Sequence, residues 1–421
     1  MSDRSIAFAE TVSPQPVICD LGLAPKPMGG APPGLPLKYA YHVNESELAQ
    51  LLREVATSSG VQHCQELFAD LEVAESGEVV AISTEGGTRL EADLYIDCSG
   101  SAALLGSAQS RVEWVDCTRW LLCDREIRMD IDYDQYYPGR VRPFTTATAL
   151  SSGWVRDIPL QGLRTLGYVH SSRHIDEADA SRELRGFEGR HASSQGTCAV
   201  QLEAGHRATP WARNCVSLGS SAAVIEPLAA ADQYLDDLGI IALAEHFPVN
   251  DDFEPYEFRF NRIMTNRYYE LLDFVNLHYA LTKRSDSDFW RDARKPERIN
   301  DRLKAKLQFW QQKVPSKSDF VDQHLPGQPD MPFGELPGAQ PSPVDTGAIY
   351  GLESYEAVLY GMQFLADECN AWFGVNRPTT RVPAYIMDDL QRAPAMLPPH
   401  DTWLRQFAGM AAYPVTGTAQ I

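Results

Sequence analysis

Between Tyr41 and Gly60 the apolar positions recur at helical spacing. Asn44 stands just before the run, and Leu48, Leu51 and Leu52 share one face, so the pattern predicts a helix capped by Asn44. The period then changes. Residues 71–100, LEVAESGEVVAISTEGGTRLEADLYIDCSG, alternate apolar and polar around turns at Ser76-Gly77 and Gly86-Gly87. That pattern predicts a β-meander followed by a buried strand, LYIDCSG. Short strands with turn punctuation continue over 111–170. From 231 to 313 helical spacing returns in YLDDLGIIALAEHF, FNRIMTNRYYELLDFVNLHYAL and NDRLKAKLQFWQQ.

The flanks are less regular. Residues 1–37 are rich in proline and glycine, and PVICDL within QPVICDLGL, 15–23, is their strand-like run. Seven prolines between Val314 and Tyr350 mark an irregular connection. One more helix is expected over about 353–373, followed by a loose tail. The pattern therefore divides into a lead-in (1–37), a mixed α/β domain (38–313), a proline-rich connection (314–350) and a C-terminal helix with tail (351–421).

Charge narrows the partners. The chain has 37 basic and 57 acidic residues, a formal net charge of −20. Such a surface repels a phosphate backbone or an anionic membrane, so neither nucleic acid nor membrane is expected as partner. No apolar run reaches the roughly 18 residues of a membrane helix. The N-terminus lacks a basic segment followed by an apolar core, so it does not read as a secretory signal. Eight scattered cysteines with no C-x-x-C pair read as reduced thiols in the cytoplasm.

Several apparent sites lack a required part. Asp130, Asp132 and Asp134 have calcium-loop spacing, but Gln135 stands where the turn glycine belongs and Val141 where the bidentate carboxylate belongs. His170 and His174 are four apart, yet GYVHSS alternates like a strand and does not place them on one helical face. In GHRATPW, His206 is a lone histidine between strands. LLGSAQS lacks the spacing and lysine of a phosphate loop. No metal site is expected.

From about Tyr39 to about Trp372 the chain resembles the flavin-dependent tryptophan halogenase family. The residues that carry this are YAYHV, ADLYIDCSG (92–100), SGWVRDIPLQ (152–161), GYVHSS, ARNCVSLGSSAAVIEPL and LHYALTKRSDSDFW (277–290), in that order. The resemblance implies an FAD-binding monooxygenase-like α/β fold: a doubly wound sheet with a β-meander, a substrate sheet and a C-terminal helical region. It also implies a chemistry. Reduced flavin and oxygen generate the oxidant for chloride or bromide, and hypohalous acid passes through a short tunnel to a tryptophan- or indole-like substrate. There a lysine and a glutamate position the halogenating species. By the same resemblance Cys98, Gly100, Gly219, Pro227 and Leu228 lie by the flavin, and Trp154, Ile158, Pro159 and Glu226 by the substrate.

The chain departs from that family at its reactive positions. No strand–G-x-G-x-x-G–helix unit precedes Tyr39, so the usual first βαβ unit and its pyrophosphate cradle are not found. Glycines 29, 30 and 34 lie among prolines. Neither Lys26 nor Lys38 stands in the context of the catalytic lysine. The family's Glu-Ser-Thr-Gly turn reads Ala229-Ala230-Ala231-Asp232, and Arg156 replaces the second tryptophan of W-x-W-x-I-P. Asp232 is expected to cap a helix starting at about Gln233. These departures predict a halogenase-like protein that has lost flavin halogenation and binds FAD weakly: either a non-catalytic homologue that retains at most an aromatic ligand or a partner, with a homo- or hetero-oligomer left open, or a shortened gene product with no selected function. The alternative is an active halogenase or monooxygenase whose nucleotide-binding part comes from another chain. The missing first strand also predicts that 15–23 supplies a substitute strand, or that residues 1–37 or a second chain cover the sheet.

Overall fold

The computed structural model describes residues 7–28, 37, 39–106, 113–132, 141–189, 196–320, 349–365 and 384–407. Within it the chain packs as two compact units, each assembled from separate stretches of sequence.

The first unit comprises 1–62, 125–200 and 359–421. Its centre is a five-stranded sheet ordered Cys198–Gln201, Arg125–Asp132, Leu163–His170, Gly153–Pro159, Thr146–Ala149. The last four of these strands pair antiparallel. Alternation explains why it folds. Ile127, Met129 and Ile131 point to one face, with Val155, Leu166 and Tyr168 beside them, and together they bury against Ala180 and Leu184. Those two residues lie on the helix Glu177–Glu188, which Asp176 caps by accepting from the Asp179 N–H.

The expected strand at 15–23 is a helix, Gln15–Asp20. Pro16 sits in its first turn, where a missing N–H costs no hydrogen bond. The strand-like run is thus wound so that Ile18 buries against Ala393 and Leu397 of the C-terminal segment. Asn44 caps Glu45–Ser58 as expected, through bonds from Ser46 N and Glu47 N. The apolar face of that helix does not find a core: Leu51, Leu52 and Val55 are 55%, 57% and 54% exposed.

The second unit comprises 63–124 and 201–358. The meander is Phe68–Val73, Val79–Thr84 and Arg89–Leu90. The following strand, Tyr95–Asp97, pairs in parallel with Cys215–Ser217 in the register Tyr95↔Cys215, Val216↔Ile96, Asp97↔Ser217. Among the described residues it is the edge of its sheet, and Ile96 stands 44% exposed there. Helices Ala231–Glu245, Glu254–Leu281 and Asp301–Trp310 confirm the helical stretch in the sequence. The next helix is Leu352–Gly361, which ends earlier than expected: residues 362–365 form a turn with Gln363 at φ 57°, and the expected span from 366 lies outside the described residues, as does most of the proline-rich connection.

One close approach tests the sheet of the first unit. A Cβ at Gly153 would sit 2.0 Å from the Val169 carbonyl oxygen. Gly153→Ala must therefore push the two strands apart. We expect a loss of at least about 2 kcal/mol in chemical denaturation, with an unchanged melt counting against this packing.

Candidate functional site

Two glycine turns leave the parallel strand pair side by side. Gly100 follows Tyr95–Asp97 at φ +71°, and Gly219 follows Cys215–Ser217 at φ +64°. Asp97 is the organiser. One carboxylate oxygen accepts from Ser99 N and Ser99 Oγ, the other from Leu105 N at 3.0 Å and Gly106 N at 2.8 Å. Leu218 N donates to the Asp97 carbonyl at 2.9 Å, and Ser221 Oγ donates to the same carbonyl. Arg207 joins the turns from below, with Nε on the Ser221 carbonyl and an amino group on that of Gly106.

The chain then enters the 226–232 turn. Glu226 is buried, and its carboxyl accepts from the Tyr279 hydroxyl at 2.5 Å. The Cys123 sulfur lies 3.4 Å from that hydroxyl. Burial pushes the Cys123 thiol and the Tyr279 phenol well above their ordinary ranges, so both keep their protons. Tyr279 gives its single proton to Glu226, and the Cys123 thiol lies against both groups. Pro227 is buried and Leu228 half-buried. Ala229 and Ala230 then sit in the left-handed region, at φ 59° and 55°. Tyr350 stacks on Phe274 at 3.8 Å and donates to the Ala229 carbonyl at 3.3 Å.

The turn thus holds its course through buried neighbours, while its exposed positions 229 and 230 offer methyl groups. Left-handed backbone costs an alanine about 1 kcal/mol, so the path is imposed by the surroundings. The helix begins at Ala231 with Ala230 at its cap position and no side-chain cap bond, so Asp232 lies inside the first turn instead of capping it. A carboxylate there still opposes the positive helix end favourably.

Trp154, Ile158 and Pro159 all fall on the Gly153–Pro159 strand. Alternation puts Trp154 and Ile158 on one face with Arg156 between them, and Pro159 on the other. Pro159 instead accepts from His42 through its carbonyl. Glu226 belongs to the second unit with the Gly100 and Gly219 turns, and Trp154 to the first. Tyr279, Cys123, Tyr350 and Asp97 are the positioning residues that motif reading did not single out; Asp97 lies within LYIDCSG and Tyr279 within LHYALTKRSDSDFW, and Cys123 and Tyr350 had no local signal.

The other candidates take structural positions. His170 ends its strand, buried, with Nδ1 against the Tyr168 carbonyl, and His174 lies in the next turn against Ser171. His206 is buried against the rings of Tyr268 and Tyr269. Asp130 and Asp132 lie on a strand, and Asp134 is outside the described residues. Among the described residues no group of three or more His, Cys, Asp and Glu is placed to hold a metal, and no helix is long and apolar enough to cross a membrane.

Among the described residues, room for a flat ring is seen at the Gly100 turn, where open space lies at the position of a Cβ. No strand–glycine–helix phosphate cradle occurs among them, and Asp236 faces Gly219, 3.6 Å from a Cβ built there. Burial pushes the Asp236 carboxyl up to about 6, with Asp232 and Asp237 adding repulsion.

Two outcomes are expected. Tyr279→Phe removes the hydroxyl between Cys123 and Glu226 and should cost about 1–3 kcal/mol in denaturation, whereas no loss would mean the turn is held by other contacts. For Asp236 the folded pKa lies above its unfolded value of 3.8. Its favourable contribution is full below that value and is lost as pH rises through about 6. Asp236→Asn should therefore stabilise the protein relative to wild type near pH 7 and not near pH 4, compared by melting at both.

The sequence profile of the tryptophan halogenase family matches residues 5–375. The tryptophan 7-halogenase KtzQ of Kutzneria sp. (strain 744) is 32% identical over 303 residues, 72% of this chain and 56% of that protein. The tryptophan 7-halogenase RebH of Lentzea aerocolonigenes is 30% identical, over 70% of this chain and 55% of that protein. The chain thus aligns with little more than half the length of these relatives. The solved tryptophan halogenase from Shewanella frigidimarina NCIMB 400 superposes with a TM-score of 0.80 at 27% identity, covering 96% of this chain and 74% of that one. Tar14, a tryptophan C-6 flavin-dependent halogenase from taromycin biosynthesis, gives 0.82 at 25%, covering 96% and 77%. With its α/β architecture, its two glycine turns and its Glu226-Pro227-Leu228 turn, the chain belongs to the tryptophan halogenase family.

Proposed function

We propose that this chain is a halogenase-family protein that does not itself carry out flavin halogenation and that binds an aromatic, tryptophan- or indole-like molecule. The observation that carries this is the 226–232 turn. Its backbone is held by Glu226, Tyr279 and Tyr350, while Ala229 stands where the family resemblance places the catalytic glutamate. A methyl group neither moves a proton nor orients a charged species, and positioned acid–base groups contribute about 10²–10⁴-fold each. FAD would supply the oxidising power if bound. The lack of a phosphate cradle among the described residues supports weak binding. Ligand binding is assigned to the Trp154–Ile158 face of the first-unit sheet, where Ile158 is half-buried and Trp154, at 5% exposure, is itself packed.

A cytoplasmic setting accords with the free cysteines at 19, 64, 98, 117, 123, 198 and 215. A second reading, favoured by the intact glycine turns, is an active FAD-dependent tryptophan or indole halogenase or monooxygenase. Its nucleotide-binding part would then come from another chain, in a hetero-oligomer.

The test uses the purified full chain. We expect no bound flavin absorbance, and no brominated product by mass spectrometry when reduced FAD, oxygen, bromide and a panel of indoles are supplied. Ala229→Glu alone should restore nothing. A yellow protein, or turnover lost on altering the 226–232 turn, would establish the second reading instead. Calorimetric titration with indoles should show saturable binding that Trp154→Ala weakens about tenfold or more.

A further inference from the structure

The face of the first-unit sheet that carries Trp154 also carries a charge arrangement that aromatic packing does not require. Strand registers define its rungs. One rung runs Ala149, Trp154, Val169, Glu126; the next runs Ala147, Arg156, Gly167, Arg128. Directly opposed residues share a face, so Arg156 and Arg128 flank Gly167. The glycine leaves a notch. A Cβ there would meet Glu126 Oε1 at 2.2 Å and Arg156 Nε at 2.8 Å.

Glu126 fills that notch and is 1% exposed. It accepts from Arg156 Nε at 2.6 Å through one oxygen and from Arg128 Nε at 2.7 Å through the other. Two guanidinium groups thus share one carboxylate. One rung further, Asp130 accepts from Thr165. Asp157 belongs to the opposite face, where Arg164 and Arg142 engage it.

The bond to Glu126 uses Arg156 through Nε. The two terminal amino groups of Arg156 make no hydrogen bond to a described residue, and its side chain is 15% exposed. A guanidinium held by Nε presents those amino groups as a fixed fork, the geometry that grips a carboxylate through two parallel bonds. Beside the fork the face is low and apolar: Ala147 and Ala149 are exposed, and Ile158 is half-buried. Trp154 and Arg156 are two residues apart on one strand, about 7 Å, the span from a ring to a carboxylate on a short linker.

We propose that Arg156, braced by Glu126 over Gly167, is the specificity-determining residue of the ligand face and selects an aromatic carboxylate over a neutral or cationic aromatic. This rests on the aromatic-ligand reading above and names the class of ligand that face takes. The ring lies over Ala147 and Ala149 against Ile158, and the carboxylate meets the amino groups of Arg156. Glu126 is a positioning residue, because it acts through the guanidinium.

The experiment titrates the full chain calorimetrically with indole-3-acetate, indole and tryptamine. The acid should bind about 10–100-fold tighter than indole, with tryptamine weakest, and its advantage should shrink as salt rises. In Arg156→Gln the acid should fall to the affinity of indole while indole itself is unchanged, and Arg156→Lys should keep part of the preference. Equal binding of acid and indole by wild type would overturn the assignment of Arg156 and leave aromatic binding intact. Loss of both ligands in a folded Arg156→Gln would overturn it too, by showing that the residue only shapes the face. Absence of any binding would remove the aromatic-ligand reading itself. If Arg156→Gln fails to fold, the wild-type ranking of acid, neutral and cation decides.

Discussion

The second unit depends on a parallel pairing only three residues long. Tyr95–Asp97 and Cys215–Ser217 come from distant parts of the sequence, and each runs directly into a glycine turn. A ladder that short provides few hydrogen bonds. Asp97 makes up the difference by binding four donors through its carboxylate and two through its carbonyl. Charge-assisted bonds of this kind are roughly twice as strong as neutral ones. From that clamp the chain is aimed toward Glu226, and the buried chain from Cys123 through Tyr279 takes over.

This layout separates shape from chemistry. Buried groups set the path of the 226–232 turn, and exposed residues would set its reactivity. Exposed side chains can therefore change to alanine while the turn keeps its course, because none of the bonds that hold it originates from them. The two left-handed alanines show how firmly the frame is set, since the local preference of the residues runs the other way.

Much of this was legible in the sequence, for identifiable reasons. The Asn44 cap, the meander and the long helix Glu254–Leu281 follow from local period and capping chemistry, which need no knowledge of distant residues. The segment at 15–23 was misread because a short apolar run fits a strand or a helix equally well. Its outcome depended on Ala393 and Leu397, far away in sequence. Asp232 was misplaced because Ala230 takes a left-handed conformation that starts the helix two residues early. Tyr279, Cys123 and Tyr350 were invisible as partners of the turn, because their spacing to it, from tens of residues to more than a hundred, carries no periodic signal. Arg156 was noted as a replacement, but its bond to Glu126 required the strand register.

Among the described residues the strand Tyr95–Asp97 has no partner on one side, with Ile96 44% exposed, and the helix Glu45–Ser58 shows Leu51, Leu52 and Val55. Sticky surfaces of this kind normally drive copies of a protein together. What opposes this is the surplus of acidic side chains, a formal charge of −20 at neutral pH. Colloidal behaviour is therefore tied to acidity. Toward the isoelectric point of about 4.9 the mutual repulsion vanishes while the open strand and the leucines remain, and the protein reaches its solubility minimum there.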